Sequence, residues 1–187
     1  ASRMIPDDVD WNWLSQARHL HATGVFAALT PDTLAITQRA MQTMRANGKT
    51  VSFDPNIRPA LWSDMQHMRR TLNELAGLAD WVLPGLSEGE QLTEQCGPAD
   101  VAAFYRKLGV TRVVVKLGAG GAYFDSALPQ EGTGTVSAYS VPKVVDSVGA
   151  GDAFAAGLVS GLLEALPLLA AIRRAAWMGA RAVRVRG

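Results

Sequence analysis

The chain has 187 residues, 48% of them hydrophobic and 19% charged, the makeup of a soluble globular domain with one sizeable core. Eighteen basic residues against seventeen acidic ones leave a net charge of +1, which gives no footing for nucleic acid or an anionic membrane as partner. The single cysteine, Cys96, excludes an intrachain disulfide and fits a reducing, cytoplasmic setting. No apolar run approaches the roughly 18 residues of a membrane span, and the opening "ASRMIPDDVDW" lacks the basic-then-apolar order of a signal peptide.

The elements alternate regularly. "HLHATGVFA" (19–27) reads as a short buried strand, followed by Thr30-Pro31-Asp32, an N-cap, a first-position proline and a first-turn acid. That helix runs to Ala46 and stops at Asn47-Gly48. "TVSFD" (50–54) is the next strand, and Asp64 caps a helix over about 65–78. "DWVLP" (80–84) is a strand, Ser87 opens a short helix, and Pro98 opens another that ends at Gly109. "TRVVVKLG" (111–118) has three valines in a row, which suits a strand buried on both faces. "GAGG" turns the chain into "AYF" (122–124), and two apolar helices follow over about 149–164 and 167–184. Strands and helices joined by short links predict an α/β fold with a parallel sheet between helices. Ligands bind such sheets at the carboxyl edge, so the loops 54–63, 84–90, 117–121 and 146–152 are the ones to search.

The last of these reads "DSVGAGDAFAAGL" (146–158). A helix start exposes backbone N–H groups and the positive end of the macrodipole, and glycines let a phosphate approach closely. Asp152 is odd for anion binding alone, because a carboxylate repels phosphate. It makes sense where a phosphoryl group moves onto a hydroxyl: the carboxylate accepts the hydroxyl proton while the amides hold the transferring charge. Taken alone, Gly-Ala-Gly-Asp reads first as a tight helix entry with a stabilising acid. Phe154, Leu158 and Leu162 behind it form an apolar stripe and read as core. No Walker lysine follows, and Tyr123 breaks a dinucleotide fingerprint in "GAGGAY" (118–123).

In "FDPNIRPALW" (53–62), Asp54, Asn56 and Arg58 stand at alternate positions and can point one way if the chain stays extended, as Pro55 and Pro59 favour. Arg58 offers a planar fork for a carboxylate or phosphate. The competing reading is an Asp54–Arg58 ion pair that braces the loop. His19 and His21 flank a strand and read as structural, with no metal-ligand spacing.

"DSVGAGDAFAAG" resembles the C-terminal signature of the ribokinase-like, or PfkB, carbohydrate kinases, with Ser147 in place of a threonine. The resemblance implies a three-layer sandwich with a mostly parallel sheet, and ATP-dependent phosphorylation of a sugar or sugar-acid hydroxyl. It implies Asp152 as catalytic base and the amides of Gly149, Ala150 and Gly151 as the anion hole. Asp146 would help hold a monovalent cation such as K⁺. "VVVKLGAGGAYF" (113–124) is similar to the family's strand and turn beside the nucleotide phosphates, which implies Lys116, Gly118 and Gly121 near ATP. Taken alone, Gly118–Gly121 reads as a plain hairpin turn. "LPGLSEGE" (83–90) resembles the family's Asn-x-x-Glu segment, which orders Mg²⁺; Gly85 stands at the Asn position and Glu88 at the Glu. Without the family, Glu88 and Glu90 are first-turn helix acids. The pattern of 54–62 resembles the 2-keto-3-deoxygluconate kinases and their fructokinase relatives, where an arginine at the place of Arg58 meets the sugar acid's carboxylate.

The resemblance covers residues 1–187 as one α/β domain, the C-terminal part of a larger kinase fold, without the N-terminal units and substrate lid. An open sheet edge of that kind predicts self-association. The alternatives are another ribokinase-family sugar kinase, or a truncated, non-catalytic nucleotide-binding fragment.

Overall fold

The computed structural model describes residues 2–185. A short helix α1 (Trp11–Ser15) leads into β1 (His19–Thr23), a helical turn α2 (Gly24–Ala27) and α3 (Pro31–Ala46). Next come β2 (Thr50–Asp54), α4 (Met65–Gly77), β3 (Trp81–Val82), α5 (Leu86–Thr93), α6 (Gly97–Lys107) and β4 (Arg112–Lys116). The antiparallel strands β5 (Ala122–Ser126) and β6 (Thr133–Val136) follow, and then α7 (Ala150–Leu163) and α8 (Leu168–Ala182).

The helix signals work as their chemistry demands. The Thr30 hydroxyl accepts the Thr33 N–H at 3.1 Å, and the Thr33 hydroxyl oxygen accepts the Thr30 N–H at 2.9 Å, closing a reciprocal cap on α3. Asp64 accepts the N–H groups of Gln66 and His67 and starts α4.

The six strands lie in sequential order, β1 to β4 parallel and β5 and β6 antiparallel. Parallel strands in sequential order, joined by right-handed crossovers, put every connecting helix on one face. Accordingly Met41, Met44, Leu72, Leu75 and Tyr105 pack with Val51, Phe53, Val113 and Val115 in one core. On the other face α7 and α8 cover Trp81, Val114, Phe124 and Val136 with Phe154, Leu158, Ile172 and Ala175. The result is three layers, with the second face of β1 and β2 carrying His19, His21, Thr50 and Ser52.

The strand expected over 19–27 ends at Thr23, and Gly24–Ala27 is helical. Gly24 is the reason. A Cβ there would lie 2.1 Å from the Pro55 carbonyl oxygen and 2.9 Å from Leu72 Cδ2, so the chain turns while pressed against the β2–α4 loop. Gly24→Ala should therefore cost about 1–3 kcal/mol by overpacking, read as a lower denaturation midpoint; an unchanged midpoint would show that the two loops separate freely.

Candidate active site

Two of the four carboxyl-edge loops, 54–63 and 146–152, contribute to one cleft. A cleft of about 720 Å³ is lined by His21, Thr23 and Val25 from β1 and α2 and by Asn56 and Arg58 from the β2–α4 loop. The rest of its lining is one face of α7, from Asp152 through Ala155, Ala156 and Val159 to Leu163. The reading of α7 as core holds for Phe154 and Leu158, which are buried, but the helix also has this second, cleft-lining face.

Ile57 explains how Asn56 and Arg58 reach the cleft. Its side chain is buried in the first core, and its N–H donates to Glu88 Oε1 at 2.8 Å. The residues on either side project away from that anchor. Asn56 has φ +40°, left-handed, so the loop is not extended there as the alternate spacing suggested. Asp54 consequently does not line the cleft. It is 2% exposed beneath it, and its carboxylate accepts the Lys116 ammonium at 2.5 Å. Burial pushes the Asp54 carboxyl above its usual range, and Lys116 pulls against that shift. The bracing ion pair thus joins Asp54 to Lys116, while Arg58 is exposed and donates to the Ile57 carbonyl at 3.0 Å.

Lys116 also approaches the last loop: its Nζ lies 3.7 Å from where a Gly151 Cβ would stand. Gly149, with φ +77° and open space around it, turns the chain into α7. The Ala150 N–H donates to Ser147 O at 3.3 Å. Among the described residues the N–H groups of Gly149, Gly151 and Asp152 meet no acceptor, so the helix start is an open set of donors beside an exposed carboxylate. Asp146 shapes the approach by accepting the Val148 N–H at 2.9 Å and donating its own N–H to Val183 O at 3.3 Å.

Glu88 occupies both carboxylate oxygens with backbone: Oε1 takes the Ile57 N–H, and Oε2 takes the Gly85 N–H at 2.8 Å. It ties the β2–α4 loop to the start of α5. A Cβ at Gly85 would lie 3.1 Å from Glu88 Oε2, so the small residue at the Asn position leaves Glu88 room to fold back. Glu90 accepts the Gly97 N–H at 3.0 Å. Among the described residues no three His, Cys, Asp or Glu side chains cluster as a metal site. Gly118 and Gly121 (φ +58° and +97°) form the β4–β5 turn, and Gly121 sits against the backbone of residues 136–138.

Sequence reasoning missed His21, Thr23 and Val25 in the cleft wall. The signal was present in "HLHAT", whose strict polar–apolar alternation marks a strand with one polar face. The His21 Nδ1 lies 2.7 Å from Ser52 Oγ, the His19 Nε2 2.8 Å from the same oxygen, and the His19 Nδ1 2.8 Å from Thr50 Oγ1. His19 stacks on Trp81 at 4.7 Å between centroids, and burial, aided by His21, pushes it down to about 4.

The comparisons with known proteins give the family. The family model of the pfkB family carbohydrate kinases matches residues 1–187. The chain belongs to that family. It is 43% identical over its whole length to the 2-dehydro-3-deoxygluconokinase of Bacillus subtilis, of which it covers 57%. It is 52% identical to a PfkB protein from Polaromonas sp. JS666 with a TM-score of 0.91, covering 98% of this chain and 59% of that one. A ribokinase II from E. coli in complex with ATP and Mg²⁺ is 31% identical with a TM-score of 0.88, covering 99% and 58%. The chain thus spans somewhat over half the length of these relatives. Among the described residues no helix is long and apolar enough to cross a membrane.

Replacing Glu88 by Ala should strand the Ile57 and Gly85 N–H groups, at about 1–3 kcal/mol for each buried donor. A fall of the melting temperature without nucleotide or metal is the expected result; an unchanged one would mean that Glu88 does not clamp the two loops.

Proposed function

We propose that the chain carries the phosphoryl-transfer part of an ATP-dependent kinase for a sugar or sugar acid, with 2-keto-3-deoxygluconate the best-fitting substrate. The observation that carries this reading is a single cleft lined by both Asp152, beside the open amides of α7, and Arg58. A substrate carboxylate on the Arg58 fork would hold the sugar acid across the cleft from Asp152. The substrate hydroxyl oxygen then bonds to the γ-phosphorus, the bond from that phosphorus to the ADP oxygen breaks, and the hydroxyl proton passes to the Asp152 carboxylate. The open amides of Gly149 and Gly151 would face the charge on the equatorial oxygens, where one well-placed donor is worth about 2.7–4 kcal/mol; the Ala150 N–H, bonded to Ser147 O, would have to leave that acceptor to join them. Lys116, neutralising Asp54 beside Gly151, keeps the floor between the two substrates electrically balanced.

Mg²⁺ commonly takes one or two carboxylates together with substrate phosphates and waters, and the donor set suits that sparse mode rather than a closed protein cage. Glu88, whose two oxygens each keep a second lone pair beyond the backbone N–H they accept, would hold its waters, and Asp146 would help hold a monovalent cation such as K⁺. Mg²⁺ supplies charge neutralisation to the phosphates when bound.

The test is ADP release over a panel of sugar acids and neutral sugars, with the protein expressed from its complete reading frame. Asp152→Asn should lower kcat by at least about 10²-fold with little change in ATP affinity; near-normal turnover would remove Asp152 from the role of base. Arg58→Ala should raise KM for the sugar acid by about 10- to 100-fold, the worth of a charged hydrogen bond, and for a neutral sugar far less. Equal effects on both would favour a neutral-sugar kinase such as a fructokinase.

A further inference from the structure

The row of polar side chains on the second face of β1 and β2 is unused by the reaction as described. Ser52 is fully buried, and its one hydroxyl lies between two imidazoles, at 2.7 Å from His21 and 2.8 Å from His19. A hydroxyl has one proton to give. If Ser52 donates to His19, then the His21 Nδ1 must donate to Ser52, and the His21 Nε2 becomes an acceptor. If Ser52 donates to His21, the His21 Nε2 carries the proton and is a donor. His19 then donates to Ser52 and accepts the Thr50 hydroxyl proton at 2.8 Å. Both arrangements satisfy every member of the row with neutral rings.

The far edge of His21 is where the two arrangements differ. His21 is exposed and lines the cleft with Asn56, Arg58 and Asp152, and among the described residues its Nε2 has no hydrogen-bond partner. We infer that His21 is a substrate-binding residue, whose Nε2 holds a hydroxyl of the sugar acid other than the one phosphorylated, as donor or acceptor according to the state of Ser52. This rests on the kinase reading above and adds a specificity contact to it. The charged and titratable groups around His21 are Lys116 from β4, Asp152 from α7, His19 from its own strand and, lining the same cleft, Arg58 from the β2–α4 loop. Desolvation of the ring edge packed on Ser52, with Lys116, holds His21 below its ordinary value while Asp152 pulls the other way, in keeping with a neutral ring.

The deciding measurement is imidazole ¹⁵N NMR of the protein from its complete reading frame, titrated with 2-keto-3-deoxygluconate. The expected result is a shift of the His21 Nε2 resonance on ligand addition, with the His19 resonances moving in step, since the rings share the Ser52 proton. His21→Phe, which keeps a ring but removes the polar edge, should raise KM for the sugar acid about tenfold, one neutral hydrogen bond lost, and leave KM for ATP unchanged. Ser52→Ala should uncouple the two rings, so that His21 shifts alone. Saturation with the sugar acid while His21 stays unmoved, or an unaltered KM in His21→Phe, overturns this inference alone. A wild-type protein that takes up no sugar overturns it together with the kinase reading.

Discussion

Right-handed crossover is the constraint on which the molecule depends. Four parallel strands taken in sequence leave no choice of side for the helices between them, so α3, α4, α5 and α6 are committed to one face. The opposite face is left for the chain that follows the sheet. Because α7 and α8 arrive only after the β5–β6 hairpin, they settle over β3 to β6 and stop short of β1 and β2. The step at that boundary is the cleft, and Asp152 stands on it because α7 begins at the carboxyl edge of the sheet.

Charge inside the step is handled locally. Asp54 and Lys116 lie on strands separated by β3, and each would be costly there alone. Paired at 2.5 Å, they brace the floor and leave Arg58 and Asp152 as the charges turned toward the cleft. Glu88 performs a comparable service for the backbone. One carboxylate satisfies two N–H groups from separate loops and so sets the distance between the β2–α4 loop and the start of α5.

Much of the frame was legible from local chemistry. The reciprocal Thr30–Thr33 cap, the Asp64 cap, the three valines of β4 and the hairpin at Gly118–Gly121 depend on neighbours in sequence, and they formed where expected. The end of β1 was not legible, because Gly24 answers to Pro55 and Leu72, which are distant in sequence. Nor was the partner of Asp54. Arg58, four residues away, was the partner the local sequence offered, whereas Lys116, sixty-two residues away, takes the carboxylate, and the left-handed turn at Asn56 accompanies a loop in which Arg58 is exposed. That His21 would line the cleft was not legible for a related reason: the alternation of the two histidines was visible, but which helices would leave that face open was not.

Apart from β6 and the start of α5 at Leu86 rather than Ser87, which were not legible, the sequence by itself determined the order of β1 to β5 and of the long helices, the caps at Thr30 and Asp64, the family and the residue types that the proposed phosphoryl transfer would use. These follow from periodicity, turn chemistry and a contiguous motif, all of which act over a few residues. Only the tertiary structure decided that Asn56, Arg58, His21 and Asp152 share one cleft, that Asp54 lies under it, and that Glu88 is spent on two amides. Those outcomes depend on which face of the sheet each helix covers and on long-range contacts that compete for the same polar atoms, and that competition is resolved only when the chain is packed.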